Sequence, residues 1–127
     1  IKGRRTSVRL KNALFLIQTK ETVMNTIEKL QKHLSTAPVE YGQVISYKPI
    51  APIIKCKDGT TLSVQASEGH YCSPRTDTGP YSEVEVWCIT DSPTPVTEFE
   101  YDSEDPSAYV PITSVVAFID NHGGMEN

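Results

Sequence analysis

Ile53-Ile54-Lys55-Cys56-Lys57-Asp58-Gly59-Thr60-Thr61-Leu62-Ser63-Val64-Gln65-Ala66 is the stretch on which the fold turns. Two runs, Ile53–Cys56 and Thr60–Ala66, flank Lys57-Asp58-Gly59. Asp-Gly between alternating residues signals a β-hairpin, because glycine supplies the positive φ of a tight primed turn. In the second run Leu62, Val64 and Ala66 share one face, as in a strand buried on one side. An antiparallel sheet is therefore expected to start here.

Toward the C-terminus, Tyr81–Ile89 also alternates. Ser82, Val84, Val86 and Cys88 fall on the expected core face, and Tyr81, Glu83, Glu85, Trp87 and Ile89 on the other. Val96–Tyr101 reads as a further strand and Asp102–Ser107 as an acidic loop. The period then changes. Pro111 suits a first helical turn, where its missing N–H costs nothing. Ile112, Val115, Val116 and Ile119 form one apolar stripe, and Gly123-Gly124 ends it after His122. Toward the N-terminus, Asn25 is expected to cap a helix running to about Leu34, with Ile27, Leu30 and Leu34 on one face. Ala37-Pro38 closes it. Gly42–Tyr47 alternates weakly. The strands Ile53–Cys56, Thr60–Ala66, Tyr81–Ile89 and Val96–Tyr101, with Gly42–Tyr47 as a further candidate, and the two helical stripes together predict an α+β fold: an antiparallel sheet of four to five strands flanked by an N-terminal and a C-terminal helix.

A chain of 127 residues supports one hydrophobic core. Its charge is uneven. Residues 1–23 hold six basic residues and one acid, a net of +5; the whole chain is −4, which leaves −9 on residues 24–127. Such a core repels a phosphate backbone, so direct nucleic-acid binding by it is not expected. The first methionine is Met24, and Lys20-Glu21 before it can be encoded as a ribosome-binding sequence. Residues 1–23 are therefore read as a basic N-terminal extension that is not part of the evolved domain, beside a single α+β domain over 24–127. The alternative is a native basic arm with Leu10, Leu14 and Ile17 on one face. The apolar run Ala13–Ile17 is too short for a membrane span. Three cysteines without a C-x-x-C spacing argue against a disulfide scaffold and for a reducing, cytoplasmic setting.

The polar loop Ser67–Pro80 concentrates chemistry-bearing side chains. It holds His70, Cys72 and Arg75, the only arginine after Arg9. In an acidic domain, one arginine beside hydroxyls suits a phosphate or carboxylate, which its planar fork binds bidentately. Tyr71 and Tyr81 are placed to stack on a planar ring, with His70 and Ser73 as donors and Ser67 beside them. The bland alternative is a structured loop in which Arg75 bridges to Glu68 or Asp77. His70-x-Cys72 lacks the four-ligand spacing of zinc, so no metal or other cofactor is expected. The same pair lacks a visible orienting partner for a nucleophile, so no catalytic residue is assigned. Glu83 and Glu85 read as a solvated sheet face. Trp87 on that face marks a contact surface, or a subunit interface of a homodimer. Glu98, Glu100, Asp102, Glu104 and Asp105 read as a solvated edge or, more sharply, as a backbone mimic that blocks a basic groove.

Five segments carry a resemblance: Val64-Gln65-Ala66-Ser67; His70-Tyr71-Cys72-Ser73-Pro74-Arg75; Gly79-Pro80-Tyr81 with Val84-Glu85-Val86; Tyr109-Val110-Pro111; and His122-Gly123-Gly124. Over about Thr60 to Gly124 the chain resembles a family of small uncharacterised proteins of bacteriophages and prophages. Trp87 departs from that pattern, in which glycine is expected. The resemblance implies a bacterial host cytoplasm and an accessory protein that acts by binding. Its ligand would be a nucleotide-type anion held by Ser67, His70, Tyr71, Ser73, Arg75 and Tyr81. The alternative is an acidic protein that docks on and blocks a host or defence protein. A small hydrolase using His70 and Cys72 ranks third.

Overall fold

The computed structural model describes residues 25–35, 39–41, 44–47 and 50–126. The basic segment 1–23, Met24 and Ala37-Pro38 lie outside these residues. In chain order come α1 (25–34), β1 (Val39–Tyr41), β2 (Val44–Tyr47), β3 (Ile54–Lys55), β4 (Thr61–Gln65), β5 (Glu83–Thr90), β6 (Ser107–Pro111) and α2 (Ile112–Asn121). The chain is α+β. β3 to β6 form an antiparallel sheet in that order, and β1–β2 form a separate antiparallel pair.

The hairpin signal at Asp58-Gly59 holds, with a different loop. Ile54 pairs with Leu62 and Lys55 with Thr61. Gly59 N–H donates to Cys56 O at 3.0 Å, and Cys56 N–H to Thr60 O at 2.8 Å. Gly59 has φ +98°. The connection is thus a turn closed by a left-handed glycine, not a two-residue primed turn. The Asp58 carboxylate favours it by accepting the Thr60 N–H at 2.9 Å.

The core lies between one sheet face and the two helices. Leu62, Val64, Val84, Val86 and Val110 point into it, and α1 adds Leu30 and Leu34. From α2, Ile112, Val115, Val116, Phe118 and Ile119 are buried. Burying one such side chain contributes about 1.5–3 kcal/mol, so the two apolar stripes account for both helices. Asn25 is already helical, and so does not cap α1. Pro111 is the N-cap of α2 rather than a residue of its first turn, because β6 runs straight into the helix.

The last turn of α2 is tied to the hairpin. Asp58 N–H donates to His122 O at 3.2 Å and Lys57 N–H to Gly124 O at 3.0 Å. His122, 3% exposed, places Nδ1 2.6 Å from Asp58 Oδ2 and 3.1 Å from the buried Thr60 hydroxyl. Cys56 bridges to Met125, so the C-terminal tail covers the β3 edge. Covered edges avoid unwanted strand pairing.

Two expectations need correction. Val96–Tyr101 is not a strand; the fourth sheet position goes to Ser107–Pro111. Tyr101 instead uses its hydroxyl to accept the Ile89 N–H at 2.9 Å. Ser82 and Cys88 do not face the core; both are exposed. The cause at Cys88 is a bulge. Thr61 pairs with Thr90 and Ser63 with Trp87, so Cys88 and Ile89 together oppose Leu62. Cys88 takes φ +55°, and the alternation breaks there. Trp87 stays on the outer face, 40% exposed.

Candidate functional site

A second bulge builds the site. Val84 pairs with Val110 but Val86 with Ser107, so Ala108 and Tyr109 together oppose Glu85. Tyr109 takes φ +51°, a region that costs a non-glycine residue about 1–2 kcal/mol. Its N–H leaves the ladder and donates to Tyr71 O at 3.0 Å. The polar loop is thereby strapped to the sheet. Tyr71 N–H donates to Glu85 Oε2 at 3.0 Å, and the Ser73 hydroxyl to Glu83 Oε1 at 2.8 Å. The two strand carboxylates are anchors for the loop and not a bare solvated face. A non-glycine residue held in a strained conformation beside a loop is a mark of functional surfaces.

On this frame three side chains meet. The Tyr71 and Tyr109 rings lie 5.9 Å apart at 52°, and Arg75 Cζ sits 5.1 Å from the Tyr71 ring centroid. Tyr71 is 50% exposed and Tyr109 43%. Arg75 Nε–H donates to Glu68 O at 3.1 Å. Its bridge runs to that carbonyl and not to the Asp77 carboxylate, which accepts the Glu68 N–H at 2.9 Å. Among the described residues the two terminal guanidinium nitrogens have no hydrogen-bond partner. The fork is therefore held at its root, stacked on one face and open at its tip, as bidentate anion binding requires.

The remaining predicted residues divide. His70 is half-exposed, with Nδ1 2.6 Å from Ser67 Oγ, which also accepts the Gly69 N–H at 3.1 Å. If the Ser67 hydroxyl donates this bond, Nδ1 accepts it and Nε2 is the ring nitrogen that carries a hydrogen. Ser67 is buried and serves the turn. Ser73 is engaged by Glu83. Tyr81 is not a stacking platform. It is 2% exposed, its hydroxyl donates to Thr76 O at 2.9 Å, and its main chain is clasped by the Gln31 amide at 2.8 and 3.0 Å. Burial pushes its phenol pKa up. Gly79 permits this placement, since a Cβ there would stand 3.0 Å from the Tyr81 ring.

Cys72 is also interior. It is 1% exposed, and its thiol faces Ser67 O at 3.2 Å and Pro74 O at 3.4 Å. A substrate has no path to this sulfur as it stands. Among the described residues no three His, Cys, Asp or Glu side chains converge as metal ligands, and no helix is long and apolar enough to cross a membrane. The structure thus brings Tyr71 and Arg75 to one surface, leaves His70 half-buried on Ser67, and engages Ser67, Ser73 and Tyr81 within the protein. It adds Tyr109, which periodicity could not single out because a bulge sets its direction.

Comparison with protein-family models, curated proteins and solved structures finds no match for this chain. Any account of the site rests on its own chemistry.

Proposed function

We propose that this chain is a non-enzymatic phage or prophage accessory protein that binds a small anionic, nucleotide-type ligand on the Tyr71–Arg75–Tyr109 surface and so counteracts host defence. The state of Arg75 carries the reading: Nε on Glu68 O, one face on Tyr71, and terminal nitrogens open. A guanidinium ordered before binding has less side-chain entropy to lose on binding. Arg75 takes the phosphate, the exposed Tyr109 ring offers a stacking surface, and His70 Nε2–H donates. The phage setting is supported by the segment resemblance.

Calorimetry against ADP-ribose and cyclic dinucleotides tests this. Binding by the wild-type chain is expected, with at least a tenfold loss in Arg75→Ala, the scale of a charge-assisted hydrogen bond of about 1.5–3 kcal/mol. Arg75→Lys should restore little, because the fork is lost. Wild-type binding that Arg75→Ala leaves untouched would refute the assignment.

A second reading, docking on a host or defence protein, is favoured by one observation. Tyr71, Trp87 and Tyr109 are all exposed, and aromatic and Arg side chains are the residue types that dominate interface energies. It predicts that Trp87→Ala and charge reversal at Glu98, Glu100 and Asp102 abolish capture of the partner, while Arg75→Ala leaves that capture unchanged.

A further inference from the structure

We propose that the cleft between α1 and the C-terminal end of α2 is a separate binding site for a small zwitterion of the amino-acid class. Its anionic group would lie on Lys29 and Lys57, and its ammonium on Asp120.

The cleft measures about 260 Å³ and is lined by Thr26, Lys29, Lys57, Asp120 and the Gly123–Gly124 turn, among others. That is just below the roughly 300–1,000 Å³ of pockets for drug-sized ligands, so it suits a metabolite of few heavy atoms. Residues 24–127 carry six basic residues against fifteen acidic ones. Two of the six line this one cleft. Lys55 is paired with Glu126 at 3.6 Å, whereas among the described residues neither Lys29 nor Lys57 has an ion-pair partner. Two ammonium groups with no ion-pair partner among the described residues, beside one hollow, favour an anion.

Asp120 makes the site more selective. Its Oδ1 accepts the Thr26 hydroxyl at 2.6 Å, and its Oδ2 is buried with no hydrogen-bond partner. A buried acceptor without a donor is costly and calls for an explanation. This oxygen has almost no accessible surface. Asp120 lines the cleft and is only half-buried, so its negative charge faces an entering ammonium from beside the Thr26 contact. Two lysines disfavour a bare metal cation, and the carboxylate disfavours a polyanion. A molecule with one charge of each sign satisfies all three groups.

The two sides of the cleft are fixed to each other. The Lys57 and Asp58 N–H groups bind Gly124 O and His122 O, and Lys57 packs close to Gly123, where an added Cβ would stand in tight contact 3.2 Å from Lys57 Cβ. Thr26 ties α1 to α2 through Asp120. Lys29 and Lys57 thus project from elements anchored to the same helix end.

The full chain, labelled with nitrogen-15, is titrated with each common L-amino acid at up to about 10 mM, where even a weak millimolar affinity is visible. At least one should move the Gly123 and Gly124 amide resonances. Lys57→Glu and Asp120→Asn should each weaken that binding about tenfold or more, an effect of about 1.4 kcal/mol. Asp120→Asn retains an acceptor for Thr26, and Lys57 is exposed, so a folded Lys57→Gln variant serves if Asp120→Asn unfolds. Arg75→Ala should leave the titration unchanged, which separates this site from the nucleotide surface. The matching amine and the matching carboxylic acid, each lacking one charge, should bind about tenfold more weakly. Failure of every amino acid to move these resonances would overturn the proposal. So would a carboxylic acid that binds as tightly as its amino acid, or binding indifferent to Lys57→Glu.

Discussion

Replacing Tyr109 tests whether the candidate site stores backbone strain. Its φ of +51° puts it in the left-handed region within β6. A side chain there costs about 1–2 kcal/mol relative to the right-handed region. Glycine escapes that cost but loses more unfolded-state freedom than alanine, by about 0.5–1 kcal/mol in a strand. At an ordinary strand position alanine is therefore the more stable choice. At Tyr109 the order should reverse, with Tyr109→Gly more stable than Tyr109→Ala by roughly 0.5–1 kcal/mol. Both variants lose the ring contact with Tyr71, an interaction of about 0.5–1.5 kcal/mol when buried and less here, where both rings are about half exposed. Tyr109→Ala should thus be clearly destabilised and Tyr109→Gly close to wild type. Urea unfolding measures the difference as a shift in midpoint at constant slope. Ser63, paired with Trp87 beside the other bulge but without a positive φ, is the control: there alanine should exceed glycine. Alanine exceeding glycine at Tyr109 as well would refute the strain argument. Both Tyr109 variants should lose nucleotide affinity alike, so the glycine variant would be stable and deficient in binding.

Gln65 is 7% exposed and clasps Ala51 through both its amide atoms at 2.8 Å; Gln65→Ala strands two buried main-chain groups and should cost about 2–4 kcal/mol in urea unfolding. The Asp58 carboxyl is held below its ordinary range, first by the Thr60 N–H and also by His122. A lowered folded pKa gives stability that is full above the unfolded carboxylate value, about 3.9, and is lost as pH falls through the folded value. Asp58→Asn should flatten that acid limb in a stability–pH series while leaving the Thr60 contact in place. Burial pushes the Cys56 thiol up to about 11, with Asp58 and Asp120 adding to it. At pH 8 a thiol reagent should therefore modify exposed Cys88 alone in the folded protein, and Cys56 and Cys72 only after denaturation; fast loss of all three thiols would contradict the packing.

Local signals determined much of this architecture. Asp58-Gly59 announced the hairpin because one positive φ and one short carboxylate are requirements of the turn itself. The stripes Leu30–Leu34 and Ile112–Ile119 announced the helices, because a period of 3.6 is visible wherever one face is buried. Arg75 stood out through composition alone. The tertiary structure decided what depends on neighbours distant in sequence. Cys88 left the core and Tyr109 entered the site because each strand carries one residue more than its partner across a bulge, and register is a property of two strands. Tyr81, a candidate for stacking, went inward because Gln31, fifty residues away, satisfies its main chain. Thr26 and Asp120 meet across 94 residues, and Lys29 and Lys57 meet at their cleft for the same reason: only packing brings α1, the hairpin and the end of α2 together.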